Sequence, residues 1–319
     1  MITRRTALGG LLAGPALAAA PALRAARAAE VPREFRIGYQ KSGILVVARQ
    51  QGTIEARLKA LGVESVRWVE FQYGPPIMEA LGIGSIDLGA AGDTPPVFAQ
   101  AAGAKIVYAA ATPAQQSAIL LPPGSAVADL AGLRAKRIAF AKGSSSHNFV
   151  VQALAKAGLT PADVTPAYLN PADAVAAFAR GSVDAWAVWD PYFAIAELRH
   201  GAKVLTTTQG ILASNSFYLA NRDFAARAPA VLKAAIEGIR ASTEWAAGHR
   251  DTLAQTMSEV TGVERAAQQR TVERLTIEVT PVTDRIVASQ QAIADTFHAL
   301  GLVPRAITVR DAVWAAPQS

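Results

Sequence analysis

The residues best equipped for chemistry are small hydrogen-bond donors gathered in two turns. Gly92-Asp93-Thr94 forms the first turn and Ser144-Ser145-Ser146-His147 the second. Each turn ends a short apolar run and opens an amphipathic helical pattern. The first N–H groups of a helix have no partner within it and carry partial positive charge, so such a turn can receive a small anion. Two such turns suggest two halves of a molecule closing on one ligand. Each turn also has a plainer reading, in which Thr94 and Ser145 only cap their helices, as Ser and Thr commonly do.

Other candidates cluster at strand ends, where ligand crevices form in open α/β sheets. Gln40 follows a strand pattern at 35–39, and its amide can donate to an anion. Trp189 ends a strand pattern at 183–188 and can offer its indole N–H or a flat wall for an organic tail. Asp190, before Pro191, can face the ligand or cap the next helix. Asp93 is the awkward member, because a carboxylate repels an anion. It either turns back on its own loop or meets an amine on the ligand. His147 can donate one N–H as a neutral imidazole or sit in the core. Lys41 and Lys142 read as solvated, Trp186 as core, and Asn215-Ser216 as either cleft or hinge. Tyr73, just before Gly74-Pro75, would narrow the room for a tail if it reached the cleft.

What is missing limits the chemistry further. The chain has no cysteine, which removes disulfides, thiolate metal sites and a Cys nucleophile. Its four histidines are scattered, and neither a phosphate-binding P-loop nor a GxSxG elbow is present. A Ser145–His147 pair has no acid marked to orient it. The expectation is therefore a binding protein with no catalytic residues, no metal and no cofactor. With 51% apolar and 18% charged residues over 319 positions, the chain is a folded globular protein long enough for two lobes.

Thr3-Arg4-Arg5-Thr6 opens a twin-arginine leader, followed by a weak apolar run and a small-x-small site at Ala26-Arg27-Ala28. Residues 1–28 are thus expected to be an export signal, and the mature protein to be periplasmic and soluble. Arg4, Arg5, Arg24 and Arg27 supply four of the six net positive charges. The small charge that remains, without a basic cluster, excludes nucleic acid as a partner.

The elements that must position these residues alternate as strand and helix. Strands are predicted at 35–39, 66–71, 86–88, 137–140, 166–169 and 183–188. Helices are predicted at 44–61, 75–81, 95–102, 145–157 and 171–179, and a mostly helical stretch from 229 to about 300. This rhythm predicts mainly parallel α/β sheets. Extended apolar segments at 117–121 and 216–220 read as crossings between lobes. They divide the chain into a first lobe (29–118), an inserted second lobe (119–216) and a return with C-terminal helices (217–319).

Several segments, in order, closely resemble the aliphatic-sulfonate-binding proteins of bacterial ABC importers, which are related to taurine and nitrate binders. They are Gly38-Tyr-Gln-Lys41, Gly84-Ser-Ile-Asp87, Gly92-Asp-Thr-Pro-Pro96, Lys142-Gly-Ser-Ser-Ser-His147, Gly181-Ser-Val-Asp-Ala-Trp186 and Val188-Trp-Asp-Pro-Tyr192. The resemblance implies a two-lobed type II periplasmic-binding fold with its ligand, an organosulfonate, in the cleft. It further implies a monomer that delivers this ligand to an inner-membrane permease and its ATPase. Taurine, nitrate or a thiamine precursor are alternative ligands. A desulfinase-like enzyme shares the fold, but it would need the cysteine this chain lacks.

Overall fold

A computed structural model describes residues 30–316; the expected leader lies outside the described residues. The chain first builds β1 (Glu34–Tyr39), α1 (Ile44–Gln51), α2 (Thr53–Ala60), β2 (Ser65–Glu70), α3 (Gly74–Gly82), β3 (Leu88–Ala91), α4 (Thr94–Ala101) and β4 (Ile106–Pro113). It continues through β5 (Ser117–Leu121), β6 (Arg137–Phe140), α5 (Ser145–Lys156), β7 (Thr165–Tyr168), α6 (Pro171–Ala179), β8 (Ala185–Trp189), α7 (Tyr192–His200) and β9 (Lys203–Thr207). The last third holds β10 (Asn215–Asn221), α8 (Arg222–Arg227), α9 (Pro229–Gly248), α10 (Arg250–Thr261), α11 (Arg265–Arg274) and α12 (Asp284–Ala299).

These strands form two five-stranded sheets, ordered β2-β1-β3-β10-β4 and β7-β6-β8-β5-β9. Each is parallel except for one strand. In the first sheet β10 runs antiparallel to both neighbours, and in the second β5 does. The odd strand in each case is the one that has just arrived from the other sheet. Residues 117–121 and 216–220, which read as crossings in the sequence, are therefore interior strands. Their continuous apolar character follows from burial on both faces. The actual passages are the short links at 114–116 and 208–214.

Helices cover both faces of each sheet, leaving four apolar clusters, two per sheet. Local sequence explains most boundaries. The predicted helix at 44–61 is split at Gly52, which takes a left-handed φ of 64° between α1 and α2. The predicted strand at 86–88 begins instead at Leu88. Asp87 is buried and accepts from the Arg36 backbone at 2.9 Å and its guanidinium at 2.7 and 3.0 Å, so residues 86 and 87 form a pinned approach to the strand.

The close crossing of α2 and α9 depends on Gly238. A β-carbon there would stand 3.0 Å from Ile54 Cα and 3.2 Å from Ile54 N. Because the obstruction is backbone, the helices must separate to admit it. Gly238→Ala is expected to destabilise by about 1–3 kcal/mol from overpacking, only partly offset by roughly 1 kcal/mol of helix propensity. Denaturant unfolding checks this; a variant as stable as the parent or more so would show that α9 moves freely.

Candidate functional site

A cleft between the two sheets is lined from the first by Gln40, Ser42, Gly74, Ala90–Gly92 and Pro95, and from the second by Ser117, Ser144, Ser145 and Trp189. The passage residues Thr112–Gln115 and the start of β10, Ser216–Tyr218, form its floor; Ile44, Leu45, Leu275 and Thr276 complete an apolar side. None of the lining residues is charged. A second groove shares Gln40, Ser42 and Trp189 with it and runs on past Glu70, Phe71 and Tyr192.

The two donor turns differ more than their sequences suggest. Helix α5 starts with Ser144 at its N-cap, but no side chain caps it, because the Ser144 hydroxyl donates backwards to Ala141 O at 2.7 Å. With no proline at its start, α5 presents free first-turn N–H groups at the cleft. Helix α4 is closed off by comparison. Asp93 takes up Thr94 N at 2.6 Å, and the following Pro95 and Pro96 have no N–H to give. An anion in the cleft would therefore meet free N–H groups at α5 and not at α4, so the two turns are not equivalent.

Of the ten residues expected from sequence, Gln40, Gly92, Ser144, Ser145 and Trp189 line the cleft, and Asp93, Thr94, Ser146, His147 and Asp190 lie behind it. Gln40 donates one amide hydrogen to Ala90 O at 3.1 Å, which fixes its side chain over β3. Gly92 is where the lobes touch. A β-carbon on it would fall 1.8 Å from Ser145 Oγ, so only glycine lets that hydroxyl approach. Asp93 faces inward, with burial raising its pKa against the hydrogen bonds it accepts from Asn148, Thr94 and Ser145. Thr94 is fully buried and its hydroxyl donates to Asp93 at 2.8 Å, so neither residue contacts the cleft. Ser146 is buried, and its hydroxyl has no partner among the described residues.

His147 proves to be a core residue. Its ring packs among Phe98, Phe140, Tyr168 and Phe297, and Nδ1 accepts from Gly143 N at 3.3 Å. Burial and the nearby Lys142 charge lower its pKa to about 4. Asp190 accepts from Ala194 N at 3.0 Å in the first turn of α7 and pairs with Arg274 of α11 at 3.2 Å. Burial lifts its pKa to about 6, opposed by Arg274. The same guanidinium bonds Glu197 and lies 3.7 Å above the Phe193 ring. Tyr73 packs against the second sheet's core and lines neither the cleft nor the adjoining groove.

Sequence reasoning missed Asn148, Gln115, Arg274 and the Leu275–Thr276 wall. The wall had a signal: residues 276–283 are rich in β-branched residues and contain Pro281, a helix break inside the stretch read as helical. Among the described residues no His/Cys/Asp/Glu cluster could hold a metal ion, and no helix is long and apolar enough to cross a membrane.

Two α/β lobes, linked by two short passages and facing each other across a donor-lined cleft, define a substrate-binding protein. The chain belongs to the NMT1-like family, whose model matches residues 29–261. A protein of Escherichia coli (strain K12) described as an aliphatic sulfonates-binding protein is 38% identical over 318 residues, covering 98% of this chain and 97% of that one. The alkanesulfonate-binding protein of Xanthomonas axonopodis pv. citri bound to MOPS superposes with a TM-score of 0.84 at 40% identity, covering 89% of this chain and 98% of that one. The periplasmic aliphatic sulphonate binding protein of Escherichia coli superposes with a TM-score of 0.80 at 38% identity, covering 90% of this chain and 94% of that one. All three are binding proteins.

The buried imidazole makes stability sensitive to acid with a definite sign. His147 has a folded pKa of about 4, below its ordinary 6.5, so the unfolded chain binds the extra proton between those values. Its contribution is complete above pH 6.5 and is lost as pH falls toward 4, by on the order of 3 kcal/mol. Asp93 and Asp190, with raised pKa values, act in the opposite direction. A comparison of the parent with His147→Asn, which keeps an acceptor near Gly143 N, cancels their effect. Denaturant midpoints from pH 7 to 4 should fall more steeply for the parent; parallel curves would refute the assignment.

Proposed function

We propose that the protein is the periplasmic substrate-binding component of an ABC importer and that it captures an aliphatic sulfonate between its lobes. The observation that carries this reading is the neutrality of the cleft. Its wall offers hydroxyls, amides and the uncapped start of α5, with neither a carboxylate nor a cation among the lining residues. A sulfonate stays ionised, accepts hydrogen bonds and donates none, so a wall of donors satisfies it and a carboxylate would only repel it. Ile44, Leu45 and Leu275 give its hydrocarbon tail an apolar surface at the other side. The names of the most similar relatives point to the same ligand class.

Binding proceeds without a chemical step. The anion meets the Ser144–Ser145 turn, and the lobes then rotate on the links at 114–116 and 208–214 until Ser145 reaches Gly92. Closure excludes water, which strengthens each charge–dipole contact, and leaves a shape that a membrane permease can recognise. The lobes that move are 30–113 with the return at 215–316, and the inserted 117–207, because the expected bounds at 118 and 216 fall inside β5 and β10. The leader at 1–28 exports the chain by the twin-arginine route, and the mature protein works as a monomer with an inner-membrane permease and its ATPase.

Calorimetry on the mature protein with alkanesulfonates from methane- to octanesulfonate, taurine, sulfate and nitrate tests this reading. Alkanesulfonates should bind and, at one hundred times their dissociation constant, add about 2.7 kcal/mol of stability. Gly92→Ala places a methyl group in the volume of the Ser145 hydroxyl and should weaken binding by at least about tenfold, because the lobes can no longer approach as closely. Binding of nitrate or sulfate with no response to any alkanesulfonate would overturn the ligand assignment.

A further inference from the structure

Behind the cleft, a side chain of each lobe meets the other where no solvent reaches. Asn148 Nδ2, one turn into α5, donates to Asp93 Oδ2 at 2.8 Å. Asn148 is 0% and Asp93 1% exposed. The rest of Asp93 is anchored in the first lobe. Its other carboxylate oxygen accepts from Thr94 N at 2.6 Å and Thr94 Oγ1 at 2.8 Å, while its main-chain oxygen accepts from Gln290 Nε2 of α12 at 2.5 Å. Gln290 is itself bonded to the buried Tyr108 hydroxyl at 3.3 Å. Asp93 is thus a fixed post whose carboxylate also receives two side chains of the second lobe, Asn148 and Ser145.

Asp93 directly follows Gly92, and Asn148 lies on the same helix as Ser145. Aligning this pair necessarily brings the Ser145 hydroxyl onto Gly92. We propose that Asp93 and Asn148 are a register pin: a positioning pair, out of reach of the ligand, that forms when the lobes close and fixes the donor turn of α5 over the cleft. Opening exposes both groups to water; closing removes them from it, and leaving either partner unmatched in the closed state is unfavourable. The pin rests on the sulfonate-binding reading for its biological use but not for its existence.

Exchanging the two groups provides the test. Asn148→Asp, measured in alkaline buffer so that both carboxyls ionise, sets two carboxylates against each other across the lobes, whereas Asp93→Asn combined with Asn148→Asp restores an amide–carboxylate bond of reversed polarity. The distance between spin labels placed on the outer faces of the two lobes is measured without ligand, and ethanesulfonate affinity is measured alongside. Asn148→Asp should lengthen the mean distance and weaken ethanesulfonate by at least about tenfold, and the double exchange should recover most of both losses. If Asn148→Asp does not fold, Asn148→Ala serves in its place and should likewise lengthen the distance. An unchanged distance, or a double exchange no better than the single variant, overturns the pin. Failure of the parent to bind ethanesulfonate would count against the ligand assignment instead, since the label distances still decide whether the pin exists.

Discussion

The hydroxyl of Ser145 lies where a β-carbon on residue 92 would stand, and this contact sets how near the two lobes come. The surrounding structure serves it. The glycine at 92 leaves the space, the Asp93 carboxylate stiffens the turn that carries it, and α5 advances Ser145 from the opposite side. Ser144 turns its own hydroxyl back toward Ala141 and leaves the helix start free of a side-chain cap. Under the proposed function, an anion held without a countercharge requires these small residues to be close together, because dipoles lose their effect over distances that a charge would still span.

The second bridge between the lobes has a different character. Arg274 reaches from α11 to Asp190 and Glu197, assisted by Arg270 against Glu197 at 3.3 Å and by Arg199 against Glu264 at 2.9 Å. Asp190 adjoins Trp189, which lines the cleft, so the charged bridge steadies one wall as the buried amide contact steadies the donor turn. On one edge the nearly buried pair of Arg274 with Asp190 is flanked by Arg270–Glu197 and Arg199–Glu264, which are partly open to water and sensitive to salt. The other is held by a dry hydrogen bond that salt barely reaches.

Much of this arrangement was legible in the sequence, for local reasons. Strand 137–140 and helix 171–179 follow from apolar runs and from Pro171 at a helix start; the structure adds Asn170 as the cap, accepting from Asp173 N. Gly92 and the serine turn stood out because small donors precede an amphipathic pattern in both, although capping alone would account for either. The order of the strands was not legible: β5 and β10 are apolar throughout, and nothing local shows which neighbours a doubly buried strand will choose. The sequence allowed Asp93 to turn back on its own loop and His147 to sit in the core; hidden were their partners, since Asn148, Gln290 and Phe297 are brought to them only by the fold. The placement of Asp190 followed the same rule. Its sequence context offers a helix start, and only the packing of α11 against α7 adds the arginine.

The wall formed by Leu275 and Thr276 comes from the link between α11 and α12, beyond residue 261, where the match to the family model ends. The residues of the α5 turn lie well inside that match. The cleft thus has two contributors: the α5 turn, which carries the uncapped helix start, and the link between α11 and α12, which brings an apolar wall and is laced to β4 by the bridge between Ala111 and Thr280. A wall carried on a connecting segment can change in shape without moving the α5 turn, so the room beside an occupant and the donors that meet its polar end are set by separate stretches of the chain.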